Sequence, residues 1–121
     1  MHVKFAELAV VDQDRAMVFY RQMLGAEVMT DKPYGDSGWR WVEVALPGAQ
    51  TRLLFSRRAN GEPSNEPSLV LVEQDVAGVI EALRSKGVEI ITGAREAPWA
   101  PGTMFAEFRD SEGNRIVVAS A

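Results

Sequence analysis

The chain has 121 residues, 46% of them hydrophobic and 25% charged, which fits one domain with a sizeable core. Thirteen Lys and Arg against seventeen Asp and Glu leave a net charge of −4, so no basic field exists to condense on phosphates, and nucleic acid is excluded as an expected partner. The absence of Cys removes disulfides, thiolate zinc sites, iron–sulfur clusters and cysteine nucleophiles, and the single histidine, His2, cannot make a multi-His metal site.

No apolar run is long enough to span a membrane, and no basic segment followed by an apolar stretch opens the chain, so a cytoplasmic protein without membrane contact is expected. In chain order, residues 5–11 read as a strand, 12–24 as a helix and 26–30, 39–46 and 50–56 as strands. Residues 68–74, 75–86, 88–92, 103–109 and 115–119 repeat that order. Asp12 and Asp75 are placed to cap the two helices, and Gly25 and Gly87 to end them in the left-handed conformation. Gly78 is a weak point inside the second helix, costing about 1 kcal/mol relative to Ala.

The predicted fold class is therefore α+β, with two βαβββ modules, 1–57 and 68–121, joined by a polar linker over 58–67 rich in Pro, Asn and Gly. Strand alternation then assigns faces. Leu8, Val10, Val42, Val44, Ile116 and Val118 fall on the helix-covered side, leaving Phe5, Glu7, Trp39, Trp41, Glu43, Ser68, Val70, Phe105, Glu107, Arg115 and Val117 on the opposite side. Leu53 and Phe55 are assigned to that opposite side as well. A sheet face that collects this many aromatics with three carboxylates reads as the lining of a cup. The alternative is that the aromatics meet another sheet, from the second module or from a second chain.

With this order on the page, the chain resembles the vicinal oxygen chelate superfamily, which includes glyoxalase I, bleomycin-resistance proteins, fosfomycin-resistance transferases and extradiol dioxygenases. The resemblance is carried by Val10-Val-Asp12-x-Asp14-Arg-Ala16, Phe19-Tyr20, Leu24-Gly25, Asp75 with Leu83-Arg and Gly87-Val, and Phe108-x-Asp110-Ser-x-Gly113-Asn114. In metal-dependent members the ligands stand on the first and last strand of each module. The resemblance puts those positions at Phe5, Leu53 (to within one or two residues), Ser68 and Val117, which offer no competent ligand set. It thus implies no metal and no other cofactor, a small-molecule ligand and a homodimer, as in the metal-free bleomycin-type resistance proteins.

The expected function is sequestration of a planar ligand, with a cationic one among the options, between the Trp39/Trp41 wall and Phe5, Leu53, Phe55, Ser68, Phe105 and Val117, with Trp99 as a lid over the cup or an anchor of its own loop. Glu7, Glu43 and Glu107 are the candidate catalytic residues. If they converge, they could hold a cation, act as a general base of raised pKa, or rebuild an oxygen-only metal site. Otherwise each pairs with an Arg such as Arg40, Arg52, Arg109 or Arg115, or lies at the wet rim. Two alternatives stay open: a glyoxalase- or dioxygenase-like lyase or isomerase using these relocated carboxylates, and a non-catalytic regulatory or partner module.

Overall fold

The computed structural model describes residues 1–121. They form two compact units, Met1–Gly61 and Glu62–Ala121, each built as the repeat predicts. In the first unit β1 (Phe5–Val10) is followed by α1 (Gln13–Leu24), β2 (Glu27–Pro33), β3 (Arg40–Ala45) and β4 (Arg52–Arg57). These strands make one sheet in the order β1-β4-β3-β2, with β1 parallel to β4 and the other pairs antiparallel. The second unit repeats this with β5 (Pro67–Val72), α2 (Val76–Ser85), β6 (Ile90–Glu96), β7 (Met104–Arg109) and β8 (Arg115–Ala119), in the order β5-β8-β7-β6.

The local signals explain both helices. The Asp12 carboxylate accepts from the Arg15 backbone N–H at 3.0 Å, and α1 ends at Gly25 with φ 69°, where most side chains would be strained. The Asp75 carboxylate accepts from the Gly78 N–H at 2.9 Å, and the left-handed turn after α2 falls on Gly87. A methyl group added at Gly78 would collide with that capping carboxylate, which gives the residue a reason that propensity alone does not.

Each helix covers one face of its own sheet. Under α1, Ala16 and Tyr20 meet Leu8, Val10, Val42 and Val44, all shut off from solvent, and Gln13 joins that face by clamping the Arg40 backbone through two hydrogen bonds of 2.7 and 3.1 Å. Under α2, Val76, Ile80 and Leu83 lie with Ala106, Phe108, Ile116 and Val118 in the buried layer. Burying such aliphatic and aromatic side chains contributes about 1.5–3 kcal/mol each before conformational entropy is set against it.

Two expected positions are corrected by the register. Leu53 pairs with Ala6 and Val44, and Phe55 pairs with Leu8, so both lie on the helix side; the Phe55 ring is 1% exposed and 6.0 Å from that of Tyr20. The run Leu53-Leu54-Phe55 is apolar throughout and has no polar residue to mark its parity.

Candidate functional site

Each unit has one sheet face that no helix of its own covers. In unit 1, Glu7 on β1, Leu54 on β4 and Glu43 on β3 form a row across it. In unit 2 the corresponding row is Val70 on β5, Val117 on β8 and Glu107 on β7. The residue that matches Val117 is therefore Leu54, one position beyond Leu53.

Glu43 and Glu107 are both 7% exposed and both ion-paired. Oε1 of Glu43 accepts from Arg52 at 2.8 Å and Oε2 from the Trp41 indole N–H at 2.7 Å. Glu107 accepts from Arg115 twice, at 2.6 Å from Nε and 3.0 Å from Nη2, and from the Thr92 hydroxyl at 2.9 Å. Burial pushes the Glu43 pKa up, but the Trp41 and Arg52 hydrogen bonds, with the charges of Arg52 and Lys4, together outweigh it and bring it below its ordinary value. The Arg115 hydrogen bond does the same for Glu107 against burial, helped by Thr92 and Arg109. Of the alternatives left open by the sequence, Glu43 and Glu107 thus take the pairing with an arginine, and the lowered pKa is opposite to that of a general base of raised pKa.

Glu7 is exposed at the edge of the unit 1 face. No group of three or more His, Cys, Asp or Glu side chains is placed to hold a metal ion. The donor set at the family's ligand positions does not fit a divalent metal either. Phe5 stands beside Arg52, Leu53 faces the helix, Ser68 is exposed at a register shift between Pro67 and Leu69, and Val117 is aliphatic.

The aromatics separate into two clusters. In unit 1, Trp41 meets Phe5 edge-on at 5.9 Å and Tyr34 at 5.4 Å, while the Arg57 guanidinium lies 4.7 Å from the centre of the Trp39 ring. Tyr34, Trp39, Trp41 and Arg57, with Glu7, Arg40 and Leu54, line a shallow hollow of about 270 Å³, from which Phe5 is absent; Phe55 borders it while its ring stays under α1. Trp39 and Trp41 are not two free indoles on one strand, because Trp39 precedes β3 and carries Arg57, and Trp41 spends its N–H on Glu43.

In unit 2, a larger hollow of about 500 Å³ is lined by Pro67, Val70, Trp99, Phe105, Glu107, Arg115, Val117 and Ala119. Trp99, in the loop between β6 and β7, is 65% exposed and packs 4.7 Å from Phe105, whose ring also has the Arg95 guanidinium at 6.0 Å. Sequence reasoning placed Phe105, Trp99, Glu107 and Val117 among the site residues. It missed Tyr34, Thr92 and Arg95, which stand where strand parity is not readable; parity put both Ser68 and Val70 on this face, and of the two only Val70 lines the hollow, the register shift falling between Pro67 and Leu69.

The loop that joins β7 to β8 sets this geometry. Oδ1 of Asp110 accepts from the backbone N–H groups of Glu112 and Asn114 at 2.9 Å each, and the Asn114 amide donates to Oδ2 at 3.1 Å. Asp110 and Asn114 are buried and Gly113 takes φ 82°. The Asp110-Ser-Glu-Gly-Asn114 motif thus holds a tight turn that brings Glu107 and Arg115 face to face.

The model of the Glyoxalase/Bleomycin resistance protein/Dioxygenase superfamily matches residues 2–118. The chain belongs to that superfamily. The uncharacterized protein YetH of Bacillus subtilis (strain 168) is 34% identical over 107 residues, which cover 87% of this chain and 86% of YetH. Among solved structures, TnmS3, an antibiotic binding protein from Streptomyces sp. CB03234, is 30% identical with a TM-score of 0.81, covering 99% of this chain and 95% of TnmS3. A superfamily member from Sphaerobacter thermophilus DSM 20745 is 26% identical with a TM-score of 0.83, covering 100% and 98%. The architecture is the vicinal oxygen chelate fold of this superfamily, as the duplicated βαβββ order predicts. No helix is long and apolar enough to cross a membrane.

Proposed function

We propose that this member of the superfamily is a small-molecule binding protein of the sequestration or resistance type, working without metal, and that its ligand is a planar aromatic molecule held in the unit 2 hollow. One observation carries this reading: Trp99, two-thirds exposed, packs at a tilt of 58° against Phe105, and both line a hollow whose other side chains are mostly aliphatic. A bare indole next to apolar walls gains free energy from any flat group that covers it, and aromatic stacking adds about 0.5–1.5 kcal/mol to the area term. The description of TnmS3 as an antibiotic binding protein, at 30% identity over nearly the whole chain, supports the same class. The pairing of Glu43 and Glu107 with arginines weighs against the lyase or isomerase alternative, since it takes two of the three candidate bases and leaves only Glu7, on an exposed edge.

The working form in this reading is a homodimer. Its support is the edge strand β5, which bares Val70 and Val72 on the face that α2 leaves open. Titration of the protein with a panel of planar aromatic antibiotics, followed by tryptophan fluorescence and calorimetry, tests the binding function. Saturable quenching with a matching heat is expected; no binding by any member of the panel overturns it. Sedimentation at micromolar concentration tests the dimer, and a mass of one chain overturns that part alone.

A further inference from the structure

Arg115 has five N–H donors in a rigid planar fork. Three are accounted for: Nε and Nη2 each give one to Glu107, and Nη1 gives one to the Asn65 carbonyl at 3.2 Å. That leaves one N–H on Nη1 and one on Nη2 in a side chain that is 29% exposed and lines the hollow. Glu107 receives three hydrogen bonds and is 7% exposed, so the carboxylate is closed while the guanidinium that it orients is open. The hollow therefore presents donors on its polar side. It presents no free carboxylate there.

From this we infer that Arg115 is a ligand-contacting, specificity-determining residue, and that the ligand carries an acceptor oxygen (a carbonyl, phenolate or carboxylate) on its aromatic ring system rather than a cationic group. The inference rests on the aromatic-binding reading of the same hollow and names the ligand class within it. The rings stack on the exposed Trp99 and meet Phe105, inclined to it by 58°, with an edge, and the oxygen takes the two free N–H groups of Arg115. Glu107 is the positioning residue: it fixes the plane of the guanidinium from beneath, with Thr92 locking the carboxylate in turn. A cationic substituent at the same place would face the like charge of Arg115, with the Glu107 carboxylate already taken by that guanidinium and by Thr92. The matching pair in unit 1, Arg52 with Glu43, shares its carboxylate with the Trp41 N–H and does not line the unit 1 hollow, whose arginines, Arg40 and Arg57, stand beside the exposed carboxylate of Glu7.

Three probes with the same rings decide the matter on the unaltered protein: anthracene carboxylate, anthracene carboxamide and anthracenyl methylammonium, titrated by calorimetry. The carboxylate and carboxamide are expected to bind about tenfold or more tighter than the ammonium, as a hydrogen bond to a charged group predicts. The ¹⁵N resonances of the Arg115 side chain are expected to shift with the first two probes and to stay in place with the third. Equal or tighter binding of the ammonium overturns this inference while leaving the aromatic-binding function standing. Binding of none of the three overturns that function, and the inference with it. In the paired variant E107Q/R115Q, which leaves no orphaned charge, the preference is expected to vanish while the carboxamide still binds. A preference that survives in the folded variant overturns the role of Arg115.

Discussion

Glu107 and Arg115 face each other across β7 and β8 through two hydrogen bonds, and the pairing recurs, through one, between Glu43 on β3 and Arg52 on β4. Each pair joins the fourth residue of one strand to the first residue of the next. In both cases the carboxylate is buried and the guanidinium half-exposed. The two partners are therefore not equivalent in their consequences for stability. Removing Glu107 leaves an Arg that water can reach, whereas removing Arg115 leaves a buried anion with only Thr92. E107Q is expected to lower stability by about 1–2 kcal/mol, and R115M to lower it more. Urea unfolding of both variants checks the order, and a smaller loss for R115M would refute it.

These pairs also set the acid response. Both carboxylates have their pKa lowered in the folded chain, so the stability they contribute is present above the unfolded value of about 4.3 and is lost as pH falls through the folded value. The wild type is expected to hold its urea midpoint from pH 7 down to about pH 5 and to lose it steeply below about pH 4, the range in which carboxylates titrate. The variant E43Q/E107Q is expected to fall less steeply over that range. Parallel curves for the two proteins would mean that other carboxylates govern the acid transition.

Much of this was legible in the sequence. The duplicated order, the caps at Asp12 and Asp75, and the left-handed glycines 25 and 87 depend on local chemistry, and each stands where the pattern puts it. Faces were readable where polar and apolar residues alternate, as in Arg40–Ala45 and Met104–Arg109, and lost where they do not, as at Leu53-Leu54-Phe55. Which Arg each glutamate takes was open, because strand register had to choose among several arginines. Arg40 in fact pairs with Asp14 and Asp31, and Arg109 gives a hydrogen bond to the Gly113 carbonyl. One signal was available: Glu43 and Glu107 are separated by nearly the same interval as Arg52 and Arg115, matching the repeat of the two helix caps.

Trp99 separates binding from folding. Its ring packs on Phe105 but is mostly in solvent, so W99A is expected to cost less than about 1 kcal/mol of stability. Because the same ring supplies the open wall of the hollow, affinity for planar aromatic ligands is expected to fall about tenfold. Calorimetry and thermal melts on one preparation measure both. Unchanged affinity would move the site away from unit 2, with the unit 1 hollow at Tyr34, Trp39 and Trp41 as the place to look next.

Metal content follows from the donor set. Incubation with Mn, Fe, Ni, Zn and Mg followed by desalting is expected to leave far less than one metal per chain, because Phe5, Leu53, Leu54 and Val117 supply no ligand atoms, Ser68 supplies only a hydroxyl, and Glu43 and Glu107 are held by arginines. Stoichiometric retention measured by elemental analysis would reverse this and direct attention to Glu7, the exposed carboxylate of the unit 1 row.

The β7–β8 turn connects the superfamily motif to the site. D110A removes the acceptor for two backbone N–H groups and for the Asn114 amide in a turn that excludes water, and about 2–4 kcal/mol of stability is expected to go with it. The loss should extend to binding, since the turn sets the register that holds Glu107 against Val117 and presents Arg115 to the hollow. Examined at a temperature where the variant is still folded, D110A is expected to lose part of the preference for oxygen-bearing probes while keeping contact with Trp99. A folded D110A with wild-type affinity and wild-type preference would show that the motif serves stability alone, and that Glu107 and Arg115 find each other without it.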